Sequence, residues 1–276
     1  MHPKEQLHQY GLRPKRSFGQ NFLTDPNIAR KIVETALPEP GGNVVEIGPG
    51  LGALTGLLLE RADNVTAIEV DRDLAAALRR PQNSLQHHSK LVVLEQDAKA
   101  ADLIGLLRQG PAPAVLIGNL PYNITGPLIR RAIEVADCVA RTVFLIQQEV
   151  CDRLTAAPGT SAYGAMTVFV QLRYSTRRAF VVRRGAFFPQ PGVDSALVVL
   201  TPHGEPMARE TDTLRKLIHA AFAQRRKKLK NAWNVLNAPG ATALAPAAAR
   251  AGIDLDARGE RLSVADFVRM AQELDR

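Results

Sequence analysis

Gly48-Pro49-Gly50-Leu51-Gly52 follows the β-rich run Asn43-Val44-Val45-Glu46-Ile47 and precedes an apolar stretch at helical spacing, so it lies where a strand turns into a helix. Such a turn exposes backbone N–H groups at a helix N-terminus and is a ready place for a ligand in an α/β sheet. Its third glycine comes one residue early for G-x-G-x-x-G, which argues against a nicotinamide or flavin ligand. A tight turn with no ligand is the other reading of the loop by itself. Glu69 stands 21 residues beyond Gly48, close to the offset of about 20 at which an acid accepts both ribose hydroxyls of an adenosine group. Asp97, just past the next β-rich run, is placed at the same sheet edge to receive an adenine amino group. Taken singly it reads equally well as a helix cap or a solvated loop acid.

Asn119-Leu120-Pro121-Tyr122 follows a fourth apolar run. Pro121 fixes its own φ and biases Leu120 towards an extended conformation, so the Asn119 amide oxygen and the Leu120 carbonyl can converge as acceptors. An exocyclic amine offers two N–H donors to such a pair. Tyr122 adds an aromatic plane for stacking, and a base held this way is flipped from its helix or already single-stranded. The competing reading is a proline turn with Asn119 as a cap and Tyr122 in the core.

The elements that must position these residues alternate. Asp25-Pro26 sets up a helix over 27–37, followed by strand 43–47, helix 53–62, strand 65–70, helix 73–80, strand 91–94, helix 103–107 and strand 114–117. Thr142–Gln147 and Leu197–Thr201 read as later strands, with helical pieces over 126–135 and 167–171. This order predicts an open, mostly parallel sheet covered on both faces. The composition changes near Pro202-His203-Gly204-Glu205-Pro206, and the chain beyond it is helical in pattern. Leu214, Leu217, Ile218, Ala221, Phe222, Leu229 and Trp233 fall near one face, with Arg225, Arg226, Lys227, Lys228 and Lys230 towards its end. Ala238–Ala251 reads as a loop and a short helix. The expected organisation is a basic arm over 1–25, an α/β domain over 26–205 and a small all-helical domain over 206–276.

The chain of 276 residues is 46% hydrophobic and 22% charged, enough to bury a core. Its net charge of +8 is unevenly spread: residues 1–31, 173–190 and 209–230 carry +4, +5 and +6, leaving −7 for the rest. Cations grouped on an otherwise acidic chain suit a polyanion such as nucleic acid, and a scatter of solvated charges is the plainer alternative. No run reaches the roughly 18 apolar residues of a membrane span, and the first residues lack the apolar stretch of a secretory signal, so no membrane association and a cytoplasmic protein are expected. Cys138 and Cys151 lack metal-ligand spacing, and no metal is expected.

Several segments together resemble the bacterial ribosomal RNA adenine dimethyltransferases of the small subunit. They are Phe18-Gly19-Gln20-Asn21-Phe22-Leu23, Glu46-Ile47-Gly48-Pro49-Gly50-Leu51-Gly52, Ile68-Glu69-Val70-Asp71, Gln96-Asp97-Ala98, Asn119-Leu120-Pro121-Tyr122-Asn123-Ile124, Gln148-Glu149-Val150, Phe188-Pro189-Gln190-Pro191-Gly192-Val193-Asp194-Ser195-Ala196 and Phe222-Ala223-Gln224-Arg225-Arg226-Lys227. The resemblance covers essentially the whole length. It implies a Rossmann-like class I methyltransferase with a seven-stranded, mostly parallel sheet and helices on both faces. The implied cofactor is S-adenosyl-L-methionine, held at Asn21, Leu23, Gly48, Glu69, Asp97 and Asn119, with the arm folding over its methionine end. The implied substrate is two adjacent adenines near the 3′ end of 16S ribosomal RNA, each dimethylated on N6 within an immature small subunit, with a role in ribosome biogenesis. The balance of surface and core suggests a monomer. From the residues themselves, Phe188 within Phe187-Phe188-Pro189 is expected to face the flipped base, with Arg183 and Arg184 holding phosphate, and an ordinary hydrophobic loop anchored in the core is the alternative; Arg225, Arg226 and Lys227 are expected to bind RNA.

Three rival readings stand beside this one. The first is the same chemistry on large-subunit RNA, as in the antibiotic-resistance methyltransferases. The second is a non-catalytic ribosome-assembly or transcription factor that kept the fold. The third, a nicotinamide oxidoreductase, is disfavoured by the glycine spacing and the lack of a hydride-transfer site.

Overall fold

The computed structural model describes residues 1–80, 85, 89–236 and 244–276. The first residues, expected only as a polar arm, open on a helix, α1 (Pro3–Tyr10). Pro3 occupies its first turn, the His2 ring accepts from the Lys4 N–H, and Gly11 ends it in the left-handed conformation at φ 68°. A two-residue strand, β1 (Phe22–Leu23), leads to α2 (Pro26–Ala36), which begins where Asp25 accepts the N–H groups of Asn27 and Ile28. Next come β2 (Asn43–Ile47), α3 (Thr55–Arg61), β3 (Asn64–Glu69), α4 (Arg72–Leu78), β4 (Leu91–Glu95), α5 (Leu103–Arg108), β5 (Ala114–Asn119), α6 (Thr125–Glu134) and β6 (Arg141–Gln147). Each lies within a residue or two of its expected bounds, because apolar strand runs bounded by Gly, Pro and Asp leave little freedom in where a strand stops. After α7 (Gln148–Leu154) and α8 (Ala165–Gln171) the chain returns as β7 (Tyr174–Val182), β8 (Phe187–Phe188) and β9 (Ser195–Pro202).

Seven strands form one sheet in the order β4-β3-β2-β5-β6-β9-β7. The pairs β3–β4, β2–β3, β2–β5 and β5–β6 are parallel, and β9 runs antiparallel to β6. Alternate strand residues serve opposite faces. Val44, Val65, Ile117 and Leu145 pack with Ile32 of α2 and Leu58 of α3, while Val45, Leu116 and Phe144 are buried on the other face, where α5 contacts β2 and β5. The chain steps outward from β2 through β3 to β4 and then resumes on the opposite side of β2 with β5, which creates a topological switch point. Ligands of open α/β sheets bind outside the carboxyl ends of the strands at such a point.

Two compact units result: Met1–Cys151 with Thr176–Pro202, and Asp152–Ser175 with His203–Arg276. The second differs from the expected 206–276 domain by gaining residues 152–175. Phe169 of α8 packs against His219 with ring centroids 5.2 Å apart, and the Gly159 N–H donates to the Glu260 carbonyl at 2.7 Å, contacts far apart in sequence that leave no local pattern. In this unit α9 (Asp212–Ala223) stops before the basic run. Gln224–Lys227 form a turn, and α10 (Leu229–Ala232), α11 (Leu244–Ala251) and α12 (Val264–Leu274) complete the described helices. The apolar face expected to run continuously from Leu214 to Trp233 is therefore two helical pieces. Both are anchored in the core, since Leu229 and Trp233 are fully buried and the Trp233 indole donates to the Leu217 carbonyl. The loop expected at the start of 238–251 lies outside the described residues, up to residue 243.

Candidate active site

Four strand ends and the N-terminal segment converge on one cavity of about 570 Å³, within the range of small-molecule sites. The end of β2 supplies Gly48 and Gly50, both at positive φ (68° and 57°). The positive φ favours glycine at Gly50, and an added Cβ would lie 3.2 Å from the Phe22 ring, which would have to give by a few tenths of an ångström. The ends of β3, β4 and β5 supply Glu69, Asp97 and Asn119. Leu120, Pro121, Tyr122, Asn21 and Leu23 line the same cavity. The structure thus brings together every expected cofactor residue and the whole Asn119–Tyr122 strip.

Glu69 is buried at the cavity wall, its two carboxylate oxygens accepting from the Asp71 N–H (2.9 Å) and the Gly50 N–H (3.1 Å). Burial raises its pKa, and these backbone bonds act against the rise. The same bonds hold the carboxylate rigidly, with lone pairs to spare for the hydroxyls of a ribose. Asp97 is looser: its side chain is 40% exposed, accepts from the Lys99 N–H at 2.9 Å and sits 3.3 Å from the Lys99 ammonium. It therefore combines a turn-capping bond with a place on the cavity wall.

Asn119 is oriented by the arm. Its Nδ2 donates to the Asn21 carbonyl at 2.9 Å, which leaves Oδ1 as the atom the amide can offer to a donor in the cavity. Leu120 is buried, with its N–H on the Leu145 carbonyl. Tyr122, half-buried, is anchored at both ends. Its backbone lies in a turn closed by the Ile124 N–H and the Thr125 hydroxyl on the Pro121 carbonyl, and its hydroxyl meets the buried Ser195 Oγ at 2.8 Å. Burial pushes the Tyr122 phenol up, so the ring is a neutral, fixed plane.

Phe188, Arg183 and Arg184 are not among the residues that line this cavity. Phe188 pairs with Phe22 across the β1–β8 ribbon and stands edge-on to His2 at 5.7 Å, so it packs against the arm and is not among the cavity-lining residues. The Arg183 side chain is 86% exposed and pairs with Asp194 at 2.9 Å, and the Arg184 backbone N–H donates to the same carboxylate. Arg226 and Lys227 are exposed. Arg225 differs: its guanidinium donates to the carbonyls of Ser161 (2.7 Å) and Tyr163 (3.1 Å) and lies 3.7 Å from Glu260, which ties the basic turn to its own unit.

Sequence reasoning assigned no role to three groups. Glu46 is a fully buried carboxyl on the cavity wall, accepting from the Thr55 hydroxyl at 2.7 Å. Burial first, and the neighbouring Glu69 charge, push its pKa up to about 7. An acid inside an apolar strand run was the available signal. Asp71 and Ser195 carry no such signal, because their partners are distant in the chain.

A mostly parallel, seven-stranded α/β sheet with a glycine turn, a buried glutamate and an asparagine at neighbouring strand ends is that of a class I, Rossmann-like methyltransferase. The chain belongs to the ribosomal RNA adenine dimethylase family, whose profile matches residues 11–276. It is similar to Ribosomal RNA small subunit methyltransferase A of Acinetobacter baylyi, 40% identical over 276 residues that cover 99% of this chain and 96% of the relative. The protein of the same name from Aromatoleum aromaticum is 43% identical over 261 residues, 93% and 92% of the two chains. Among solved structures, a dimethyladenosine transferase from Plasmodium falciparum superposes with a TM-score of 0.78 at 25% identity over 92% of this chain and 97% of its own. The 23S rRNA methyltransferase ErmE does so with 0.69 at 26% over 93% and 100%.

Proposed function

We propose that this protein uses S-adenosyl-L-methionine to dimethylate the N6 amines of two adjacent adenines near the 3′ end of 16S ribosomal RNA, in an assembling small subunit in the cytoplasm. The observation that carries the reading is the Asn119 amide, turned by the Asn21 carbonyl so that Oδ1 is the acceptor, in the same cavity as the Gly48–Gly50 turn and Glu69. The family and the small-subunit relatives at 40% and 43% identity support the choice of base and of RNA.

The residues present suit an adenosyl group: Glu69 offers a rigid carboxylate to the ribose, Asp97 an acceptor to the adenine amine, and the glycine turn close backbone approach. When bound, the cofactor supplies an activated methyl group. Adenine N6 is a poor nucleophile because its lone pair is drawn into the ring. Hydrogen bonds from its N–H groups to Asn119 Oδ1 and the Leu120 carbonyl favour a pyramidal nitrogen and aim the lone pair, a contribution of positioning and preorganised electrostatics. Tyr122, fixed by Ser195, holds the base plane. No strong base is required, since the methylated ammonium is acidic and passes its proton to water.

Transfer of labelled methyl groups to unmodified small subunits, with naked small- and large-subunit RNA in parallel and mapping of the modified bases, tests this reading. Incorporation at two adjacent small-subunit adenines is expected. Incorporation into large-subunit RNA instead would favour the resistance-type reading, and cofactor binding without transfer to any of the three would favour a non-catalytic assembly factor. Asn119→Ala is expected to abolish transfer while retaining the fold and part of the cofactor affinity, and near-normal turnover in it would sink the acceptor role.

A further inference from the structure

Two cavity residues, Glu69 and Asn119, are each held by a group that leads back to Asp71. The Asp71 N–H donates to Glu69 at 2.9 Å. Its side chain, 2% exposed, receives the Lys15 ammonium on Oδ1 and the Gln20 amide on Oδ2, both at 2.7 Å. Lys15 also reaches Asp73 at 2.7 Å, and the Lys15 N–H closes a loop onto Gln20 Oε1 at 2.8 Å. The next residue along, Asn21, gives its carbonyl to Asn119. Burial opposes ionisation of Asp71, yet the bonds from Lys15, Gln20 and the Asp73 N–H outweigh it and hold its carboxyl below the usual range. The segment that covers the cavity therefore depends on one buried, ionised acceptor. Other side-chain bonds of the N-terminal segment among the described residues are longer and go to carbonyls: Asn21 to Gly19 at 3.0 Å, Asn123 to Ser17 at 3.2 Å and Gln6 to Leu51 at 3.3 Å.

We propose that Asp71 is a positioning residue that latches the 15–21 segment across the cavity, so that arm closure, the Glu69 carboxylate and the Asn119 amide are set together. It touches neither cofactor nor base; it acts through its N–H on Glu69 and through Gln20 and Asn21 on Asn119. The inference rests on the cofactor and acceptor roles given above. Its consequence is that cofactor affinity and turnover fall in step when the latch is broken, because the cost of ordering the arm then falls on both.

The test uses the full chain, with S-adenosylhomocysteine as the binding probe and trypsin cleavage after Lys15 as the reporter of the arm. Asp71→Asn keeps an oxygen for the Asp73 N–H that caps α4 but sets one amide NH₂ against another at Gln20. It is expected to weaken probe binding about tenfold, the equivalent of one charge-assisted hydrogen bond, to lower kcat on small subunits, and to speed cleavage after Lys15. Adding Gln20→Glu exchanges acid and amide across the same contact and restores the donor–acceptor match. Affinity within about threefold of wild type and slow cleavage are expected to return, a rescue that a mere helix-cap role for Asp71 does not give. Wild-type affinity and cleavage in Asp71→Asn, or a double variant no better than the single, would overturn the latch. If Asp71→Asn does not fold, Gln20→Leu breaks the contact from the arm side and carries the same expectations. If wild type itself does not bind the probe, the cofactor reading fails, and the latch still stands or falls on the cleavage rates.

Discussion

Glu46→Gln isolates the titration of one buried carboxyl from all others in the protein. In the folded chain this group is pushed up to about 7 from an ordinary 4.5, mainly by burial. Between those values the folded state keeps a proton that the unfolded state has released, so stability falls as pH rises through the window and levels off above the folded pKa. Two and a half pH units at 1.36 kcal/mol each give a full penalty of about 3 kcal/mol, of which about 2 kcal/mol develops between pH 5 and 8. Glutamine matches the neutral acid in shape, can still accept from the Thr55 hydroxyl, and does not titrate. The variant is therefore expected to gain on wild type steadily from pH 5 to pH 8. Urea unfolding at intervals of one pH unit measures this, followed by far-UV circular dichroism because the single tryptophan, Trp233, lies in the other unit. Stability curves that stay parallel across that range would refute the raised pKa of Glu46.

The other expectations concern the cavity and the charged surface. Glu69→Ala is expected to weaken binding of S-adenosylhomocysteine by one to two orders of magnitude, about 1.5–3 kcal/mol for bonds to a charged acceptor, and an unchanged calorimetric isotherm would remove Glu69 from the ribose role. Tyr122→Phe leaves the buried Ser195 hydroxyl without its partner and is expected to cost about 1–2 kcal/mol of stability with the ring plane retained. Tyr122→Ala also removes a stacking plane worth about 1–3 kcal/mol, so the two variants should separate in KM for RNA. Reversing the charge of Arg226 and Lys227 is expected to weaken RNA binding and flatten its salt dependence by about two charges' worth, as read from affinities at several salt concentrations. The same change at Arg225 should in addition lower the thermal midpoint, because it breaks the bonds to Ser161 and Tyr163.

Much of this site could be seen in the chain without coordinates. Strand ends are marked locally, by an apolar run and then Gly48, Glu69, Asp97 or Asn119, and a parallel sheet places successive strand ends at one edge. Four residues scattered over 72 positions therefore meet by topology alone. The missed elements lack such marks. β7 carries Arg177 and Arg178 in adjacent exposed positions at the sheet edge, which erases any alternation. β1 and β8 are two residues each and exist through their mutual pairing. Residues 152–175 were expected with the sheet domain because helices that pack on distant helices look like any other helices in the chain.

The sequence by itself determined the order of elements, the glycine turn and which acids and which asparagine stand at the strand ends, since these depend on periods of two and 3.6 and on residue chemistry. Only the tertiary structure decided which of the polar groups are buried and what each one bonds. Tyr122 meets Ser195 73 residues away, Asn119 meets Asn21 across 98, and Lys15 meets Asp71 across 56. A hydrogen bond of that span adds no periodicity to either segment that makes it. The same holds for Glu46, whose raised pKa comes from the helices and strands that exclude water around it and not from its neighbours in the chain.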